Sequence, residues 1–183
     1  MSRPNSSAGK SPAKDGHGTK AKAAIPHSSH GKRKSHIHHK KKKSVAEVHN
    51  PLEGKYTGDM FEGLRQGEGA LLFINGDTYE GEFYRGMRHG KGVAKFKSGA
   101  HDFRVYDGEW KRSMRDGDGK ETWPNGDVYE GEWKRDEFDG VGVLKTGSSK
   151  YAGGFKGGKK QGYGCQVFNS GSFYEGEVRQ GLA

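Results

Sequence analysis

A pattern that returns about every 23 residues constrains this chain more than any other feature. Blocks open with a tyrosine at Tyr56, Tyr79, Tyr106, Tyr129, Tyr151 and Tyr174, at spacings of 23, 27, 23, 22 and 23 residues. With each tyrosine as position 0, glycine follows at +2 in all six blocks: Gly58, Gly81, Gly108, Gly131, Gly153 and Gly176. Position +3 is Asp59, Glu82, Glu109, Glu132, Gly154 and Glu177, and position +4 is Met60, Phe83, Trp110, Trp133, Phe155 and Val178. The five complete blocks carry glycine at +11 and +13, and four have an aromatic at +17: Phe73, Phe96, Trp123 and Phe168. A fixed period in this range specifies a stacked array, each unit burying its face against the next, rather than a globular catalytic domain. A residue type that recurs in every block is first a structural component. Unique chemistry is confined to the breaks.

Positions 0, +2 and +4 alternate, so they share one face of a β-strand, while +1 and +3, mostly acidic, face the other way. The glycines at +11 and +13 also share parity. They predict a second strand with two bare positions on which a neighbouring ring lies flat, a cover that offsets the usual weakness of glycine in a strand. Asn75-Gly76-Asp77 and Asn125-Gly126-Asp127, just before the next opening tyrosine, read as hairpin turns. A second, basic and polar turn is expected at +5 to +10, as in Lys111–Asp116. The fold class expected is all-β: an elongated antiparallel β-meander or solenoid of stacked hairpins, on the order of 50 Å long at about 4.8 Å per strand.

These residues resemble the MORN repeat. Its opening is matched in full by Tyr129-Glu130-Gly131-Glu132-Trp133, and the stretch Tyr79–Gly92 is close to its consensus. The resemblance runs over residues 56–183. It implies an extended β scaffold, of the kind found in ciliary and flagellar components, radial-spoke heads, cytoskeletal organisers, membrane-contact proteins and accessory regions of lipid kinases. It names an architecture more closely than a task.

Composition divides the chain near Asn50 into a tail, 1–50, and an array, 51–183. Residues 1–50 hold 12 of the 32 Lys and Arg, 2 of the 23 acidic residues, 7 of the 9 His and no aromatic. The net charge of +9 therefore belongs to the tail, and the array is close to neutral. With so little apolar surface to bury, the tail is expected to be disordered. Its densest segment, Lys32, Arg33, Lys34, Lys40, Lys41, Lys42 and Lys43, is the candidate site for an anionic partner. That partner is an anionic membrane surface, an acidic polymer such as the tubulin surface, or nucleic acid or an import receptor; a purely solvating tail is the plain alternative. No aromatics interleave the cations, which argues against sequence-specific nucleic-acid reading. His36, His38 and His39 lack a fixed frame for a metal.

The array offers no unique catalytic grouping, because its carboxylates repeat; no enzyme activity and no cofactor are expected. Cys165 stands at an ordinary strand position, and a single cysteine fits a reducing compartment. Met1-Ser2-Arg3-Pro4 is not a signal peptide, and Ser2 cannot be myristoylated. The reading is a cytoplasmic protein, on the cytoskeleton or a cilium or flagellum, with membrane-peripheral and nuclear locations as alternatives. Block two is four residues longer than 23, through Ser98–Val105; this is a longer turn or a protein contact made by Phe103 and Arg104. The loss of the +17 aromatic in block four and Gly154 at +3 of block five read as drift. The chain reaches Ala183 ten residues into block six. Strand Tyr174–Val178 is then an end cap, a fragment's edge, or a site where a second copy pairs to form a homo-oligomer.

Overall fold

The structure, a computed structural model, describes residues 44–179. They form one sheet of twelve antiparallel strands whose spatial order is their sequence order. The strands are β1 (Ser44–Asn50), β2 (Gly54–Phe61), β3 (Leu64–Phe73), β4 (Thr78–Tyr84), β5 (Met87–Lys97), β6 (Phe103–Lys111), β7 (Met114–Thr122), β8 (Val128–Lys134), β9 (Glu137–Lys145), β10 (Ser149–Lys156), β11 (Lys159–Phe168) and β12 (Phe173–Val178). Each block is a hairpin, and each hairpin pairs with the next, as the period requires. The described residues contain no helix.

The array starts earlier than composition places it. β1 lies inside the segment expected to be tail and pairs along its whole length with β2, from Ser44 opposite Met60 to Asn50 opposite Gly54. It carries no tyrosine and buries little, so the repeat pattern does not mark it; backbone pairing along the open edge of β2 holds it. The expected disorder of residues 1–43 lies outside the described residues. At the other end, β12 pairs with β11 alone among the described strands.

The core is an aromatic zipper on one face. Every complete block's opening tyrosine is buried, and Tyr79, Tyr106, Tyr129 and Tyr151 are at most 1% exposed. From β4 onward the +4 rings interleave with them. Phe83 meets Tyr56 and Tyr79 edge to face, Trp110 meets Tyr79 and Tyr106, Trp133 meets Tyr106 and Tyr129, and Phe155 meets Tyr129 and Tyr151, with centroids 5.1–5.3 Å apart. Such pairs contribute about 0.5–1.5 kcal/mol each beyond their burial. All six tyrosine hydroxyls donate to the backbone carbonyl at +3, at 2.7–3.2 Å. The tyrosine thus spans its own strand and locks the ring over the glycine at +13. A Cβ on Gly142 would sit 2.5 Å from the Tyr129 hydroxyl and within 2.8 Å of its ring, so only glycine fits there.

The two glycines of the second strand do not share a role, contrary to the parity argument. The one at +13 lies under the tyrosine. The one at +11 has a positive φ in Gly90, Gly117 and Gly140, and a Cβ there would meet the +3 carboxylate side chain of Glu82, Glu109 or Glu132 on the opposite face. The cause is a β-bulge in every hairpin, where the register slips between the +2 and +4 residues. The bulge leaves the +12 amide out of the ladder. In three blocks the +3 carboxylate accepts from it: Asp59 from Glu68 N, Glu82 from Lys91 N and Glu132 from Val141 N, at 2.8–3.1 Å. The recurrent acid at +3 is thereby explained as a backbone cap.

Burial pushes the hydroxyls of Tyr79, Tyr106 and Tyr129 well above their ordinary value of 10, and those of Tyr56 and Tyr151 upward too. A folded-state value raised above the unfolded one contributes stability that is intact below the unfolded value and lost as pH climbs toward the folded one. The urea midpoint is therefore expected to hold through neutral pH and to fall from about pH 10 upward. A midpoint that stays level past that pH would show the hydroxyls to be free to ionise in the folded sheet.

Candidate functional site

The aromatic face is closed by a third repeating position that the sequence reading passed over. At +9 stand Arg65, Arg88, Arg115, Phe138 and Lys160. The Arg88 guanidinium lies 4.3 Å from the centre of Trp110, and that of Arg115 lies 4.2 Å from Trp133. Phe138 stacks on Tyr129 at 3.7 Å, and the Lys160 ammonium sits 4.7 Å over Tyr151. Cations over aromatic faces are favourable, more so when partly desolvated. The recurrence of Arg at +9 in three consecutive blocks was the available signal.

One block builds a buried ion network on this frame. Position +15 is Leu71, Ala94, Glu121, Leu144 and Gln166, so Glu121 puts a carboxylate where other blocks put mostly aliphatics. It is 1% exposed. Its Oε1 accepts from Arg115 Nη1 at 2.7 Å and lies 3.3 Å from Arg104 Nε, while Arg115 Nε also pairs with Asp136 at 3.1 Å. Burial pushes the Glu121 carboxyl upward against the pull of Arg115 and Arg104. Every group in the cluster is committed to a neighbour, so its geometry is that of a structural clasp joining Arg104 at the end of block two, Arg115 and Glu121 of block three and Asp136 of block four.

The opposite face is open. Glycines at +2 and +13 stand directly across from one another on every adjacent strand pair, from Gly58 opposite Gly69 to Gly164 opposite Gly176. They form the floor of a groove that crosses the strands, with an open volume of about 720 Å³ over β5–β10. Its flanks are the outward residues beside the glycines: Asp107, Glu109, Asp118 and Glu130, with Lys91 and Lys120 between them. Toward β9–β11 the flank turns apolar, through Val141, Val143 and Ala152, with Tyr163 71% exposed beyond. Gly154, which reads as drift in the sequence, stands two residues from Ala152 on β10, where this change of character falls.

The turns at +6 and +7 form a third surface. Both residues take positive φ in all five hairpins, including Arg112-Ser113 and Arg135-Asp136, where no glycine relieves the conformation. Neighbouring turns are bonded to each other: the +7 amides of Gly86, Ser113, Asp136 and Gly158 donate to the +9 carbonyls of Arg65, Arg88, Arg115 and Phe138. Arg85, Lys111, Arg112, Lys134, Arg135 and Lys156 are exposed along this edge. The sheet therefore holds a row of cations at a spacing of two strands, roughly 10 Å.

Of the residues singled out from sequence, Lys32, Arg33, Lys34 and Lys40–Lys43 lie outside the described residues. Phe103 and Arg104 begin β6, opposite Lys97 and Phe96. Both are half-buried. The Arg104 guanidinium lies 4.7 Å over Phe96 and beside Glu121, so much of its chemistry is spent within the sheet. The four extra residues of block two lengthen β5 and β6 and close through Ser98, whose amide donates to Asp102 O. Cys165 is on β11, half-buried. Among the described residues, no three His, Cys, Asp or Glu side chains are grouped so as to hold a metal ion.

A family model for the MORN repeat matches residues 56–78, 79–101, 106–128, 129–149 and 151–173. The first two and the last three matches each run on without a gap of more than one residue; the wider gap, 102–105, falls in the long block-two hairpin. Among curated proteins, none matches the chain closely enough to count as a relative.

Proposed function

Because this chain belongs to the MORN-repeat family, we propose that it is a non-enzymatic scaffold in the cytoplasm, presenting its sheet to protein partners on a cytoskeletal, ciliary or flagellar structure. Repeats of this family mark an interaction protein, for protein or membrane surfaces. The observation that carries the narrower reading is the division of labour in the sheet. One face is consumed by the aromatic zipper, while the glycine-floored face and the bonded turns are rigid, exposed and unlike each other in charge. Rigid, preorganised surfaces bind with less ordering cost. The test is localisation of tagged full-length chain and of a chain lacking residues 1–43, a cut that leaves β1 in place. A cytoskeletal or axonemal signal kept without the tail supports the scaffold. Its loss with the tail refutes it.

The row of turn cations favours a second reading, a membrane-surface adaptor, and the tail cations act in the same sense. Each cation held near an anionic bilayer contributes about 1 kcal/mol, and exposed charges are screened beyond about 8 Å at physiological salt. Flotation with acidic vesicles is expected at low salt only, reduced by replacing Lys40–Lys43 with Ala and reduced further by removing Arg112 and Arg135. Association that survives high salt would exclude this electrostatic mode.

A further inference from the structure

We propose that Ser113 is a phosphorylation site, modified by a serine kinase that selects basic flanks and positioned so that Arg88 receives the phosphate. Its effect on an anionic surface rests on the membrane-adaptor reading; the site and its arginine partner do not.

Position +7 of the hairpin turn is Gly63, Gly86, Ser113, Asp136 and Gly158, all at φ between 66° and 83°. Glycine takes that conformation freely, whereas a serine there is strained. Blocks three and four nevertheless keep a polar side chain, and both side chains turn to the +9 arginine of the preceding block. Asp136 Oδ1 accepts from Arg115 N at 3.0 Å and from its Nε at 3.1 Å, and the Asp136 carbonyl accepts from Arg115 Nη2 at 2.9 Å. Ser113 repeats the pattern one block earlier. Its Oγ accepts from Arg88 N at 3.2 Å, and its carbonyl accepts from Arg88 Nη2 at 2.9 Å. The two guanidiniums are also placed alike, 4.3 Å from the centre of Trp110 and 4.2 Å from that of Trp133. The difference is charge. Arg65 pairs with Glu53, and Arg115 pairs with Glu121 and Asp136. Among the described residues, no carboxylate stands within the 4.0 Å of an ion pair from Arg88. Arg88 is half-buried, and burial pushes its guanidinium below the ordinary range. A cation so placed lacks the close counter-ion that offsets desolvation. A phosphate on Ser113 supplies one, at the position from which Asp136 serves Arg115.

Ser113 lies at the tip of the β6–β7 hairpin, half-buried, with Lys111 and Arg112 exposed before it and Arg115 two residues after. Such flanks suit a kinase whose substrate cleft is acidic. A hairpin tip opens locally more readily than the strands behind it. Ser113 Oγ is the acceptor in its bond to Arg88 N, so the hydroxyl keeps its own proton. In the transfer, Oγ forms a bond to the terminal phosphorus of a nucleoside triphosphate. The bond from that phosphorus to the bridging oxygen breaks, the diphosphate leaves, and the hydroxyl proton passes to the kinase's carboxylate base. The product carries roughly 1.5–2 negative charges at pH 7, on oxygens one bond further from the backbone than those of Asp136. Among Arg85, Lys111, Arg112 and Arg135 it offsets about two of the exposed cations of the turn edge. The edge thereby loses attraction for an anionic surface, while the hairpin gains a charged bond to Arg88.

The test treats the full chain with ATP and the catalytic domain of a serine kinase that selects basic flanks. The modified residue is read by fragmentation mass spectrometry. Label is expected at Ser113, and a chain that stays unlabelled there overturns the site. The phosphorylated chain is then followed across pH by phosphorus NMR. The second ionisation, ordinarily near 6, is expected about half a unit lower in the folded chain than in the same chain in urea, because Arg88 favours the dianion. The shift is expected to persist in Arg112→Gln, which removes an exposed neighbour. It is expected to be lost in Arg88→Phe, which installs the residue type that block four carries at +9, Phe138. An unshifted value in the folded parent, or a shift that Arg88→Phe leaves in place, would overturn the assignment to Arg88. If Arg88→Phe does not fold, Arg112→Gln decides, because loss of the whole shift there places the phosphate on the exposed cation instead. None of these measurements involves vesicles or localisation, so their failure leaves the scaffold and adaptor readings standing. Flotation of the unmodified chain tests the adaptor reading by itself.

Discussion

Trp133→Ala is expected to destabilise the array by about 3–5 kcal/mol, the range for removing a buried large aromatic. Trp133 is 4% exposed and joins two blocks. Its ring meets Tyr106 and Tyr129 edge to face at 5.2 Å, carries the Arg115 guanidinium at 4.2 Å and packs on Phe138 at 4.7 Å. Its Nε1 donates to Gly119 O at 3.1 Å. The neighbouring change Glu132→Ala removes one bond to Val141 N, at 3.0 Å, and is expected to cost about 1 kcal/mol. Denaturant melts of the two variants compare the faces directly. A glutamate change that costs more than the tryptophan change would mean that the core lies on the other side.

The second large effect is expected at the ion clasp. Arg115→Ala leaves Glu121 buried with Arg104 as its remaining cation, and breaking a buried pair costs about 3–5 kcal/mol. Glu121→Leu returns the aliphatic of Leu71 and Leu144 to the same position. Exchanging a buried charge for a packed apolar side chain is often neutral or better, so this variant is expected within about 1 kcal/mol of the parent, with Arg115 still paired to Asp136. Equal losses in urea titrations of the two variants would show that the carboxylate contributes net stability and that desolvation is not the dominant cost.

The fold was legible because its determinants are periodic. Tyrosine at 0, the aromatic at +4 and the paired glycines determine strand parity, and parity determines which face is buried. Three features were not legible, each for a physical reason. β1 is held by backbone pairing along an edge, which imposes little side-chain pattern on Ser44–Asn50. The bulge reverses the direction of the +11 glycine, and parity counting assumes an unbroken ladder. Glu121 reads as an ordinary acid until the sheet brings Arg104 of β6 and Arg115, six residues earlier on its own strand β7, to it. For the site, charge counted along the chain showed a neutral array. The sheet sorts that neutral composition into an acidic groove and a basic edge, a separation that appears only once alternate residues are assigned to faces and turns.

The central claim is that position in the repeat, rather than local sequence, sets each residue's role in one continuous sheet. Amide hydrogen exchange of the full chain, resolved by residue, tests it most directly. The account predicts slow exchange on both strands of every block, at Lys91 and Val141 as well, whose amides are bonded to the +3 carboxylates rather than to the ladder. It further predicts that Glu132→Gln accelerates Val141 and leaves Lys91 unchanged. A block that exchanges at the rate of unfolded chain, or equal acceleration at both amides, would contradict it.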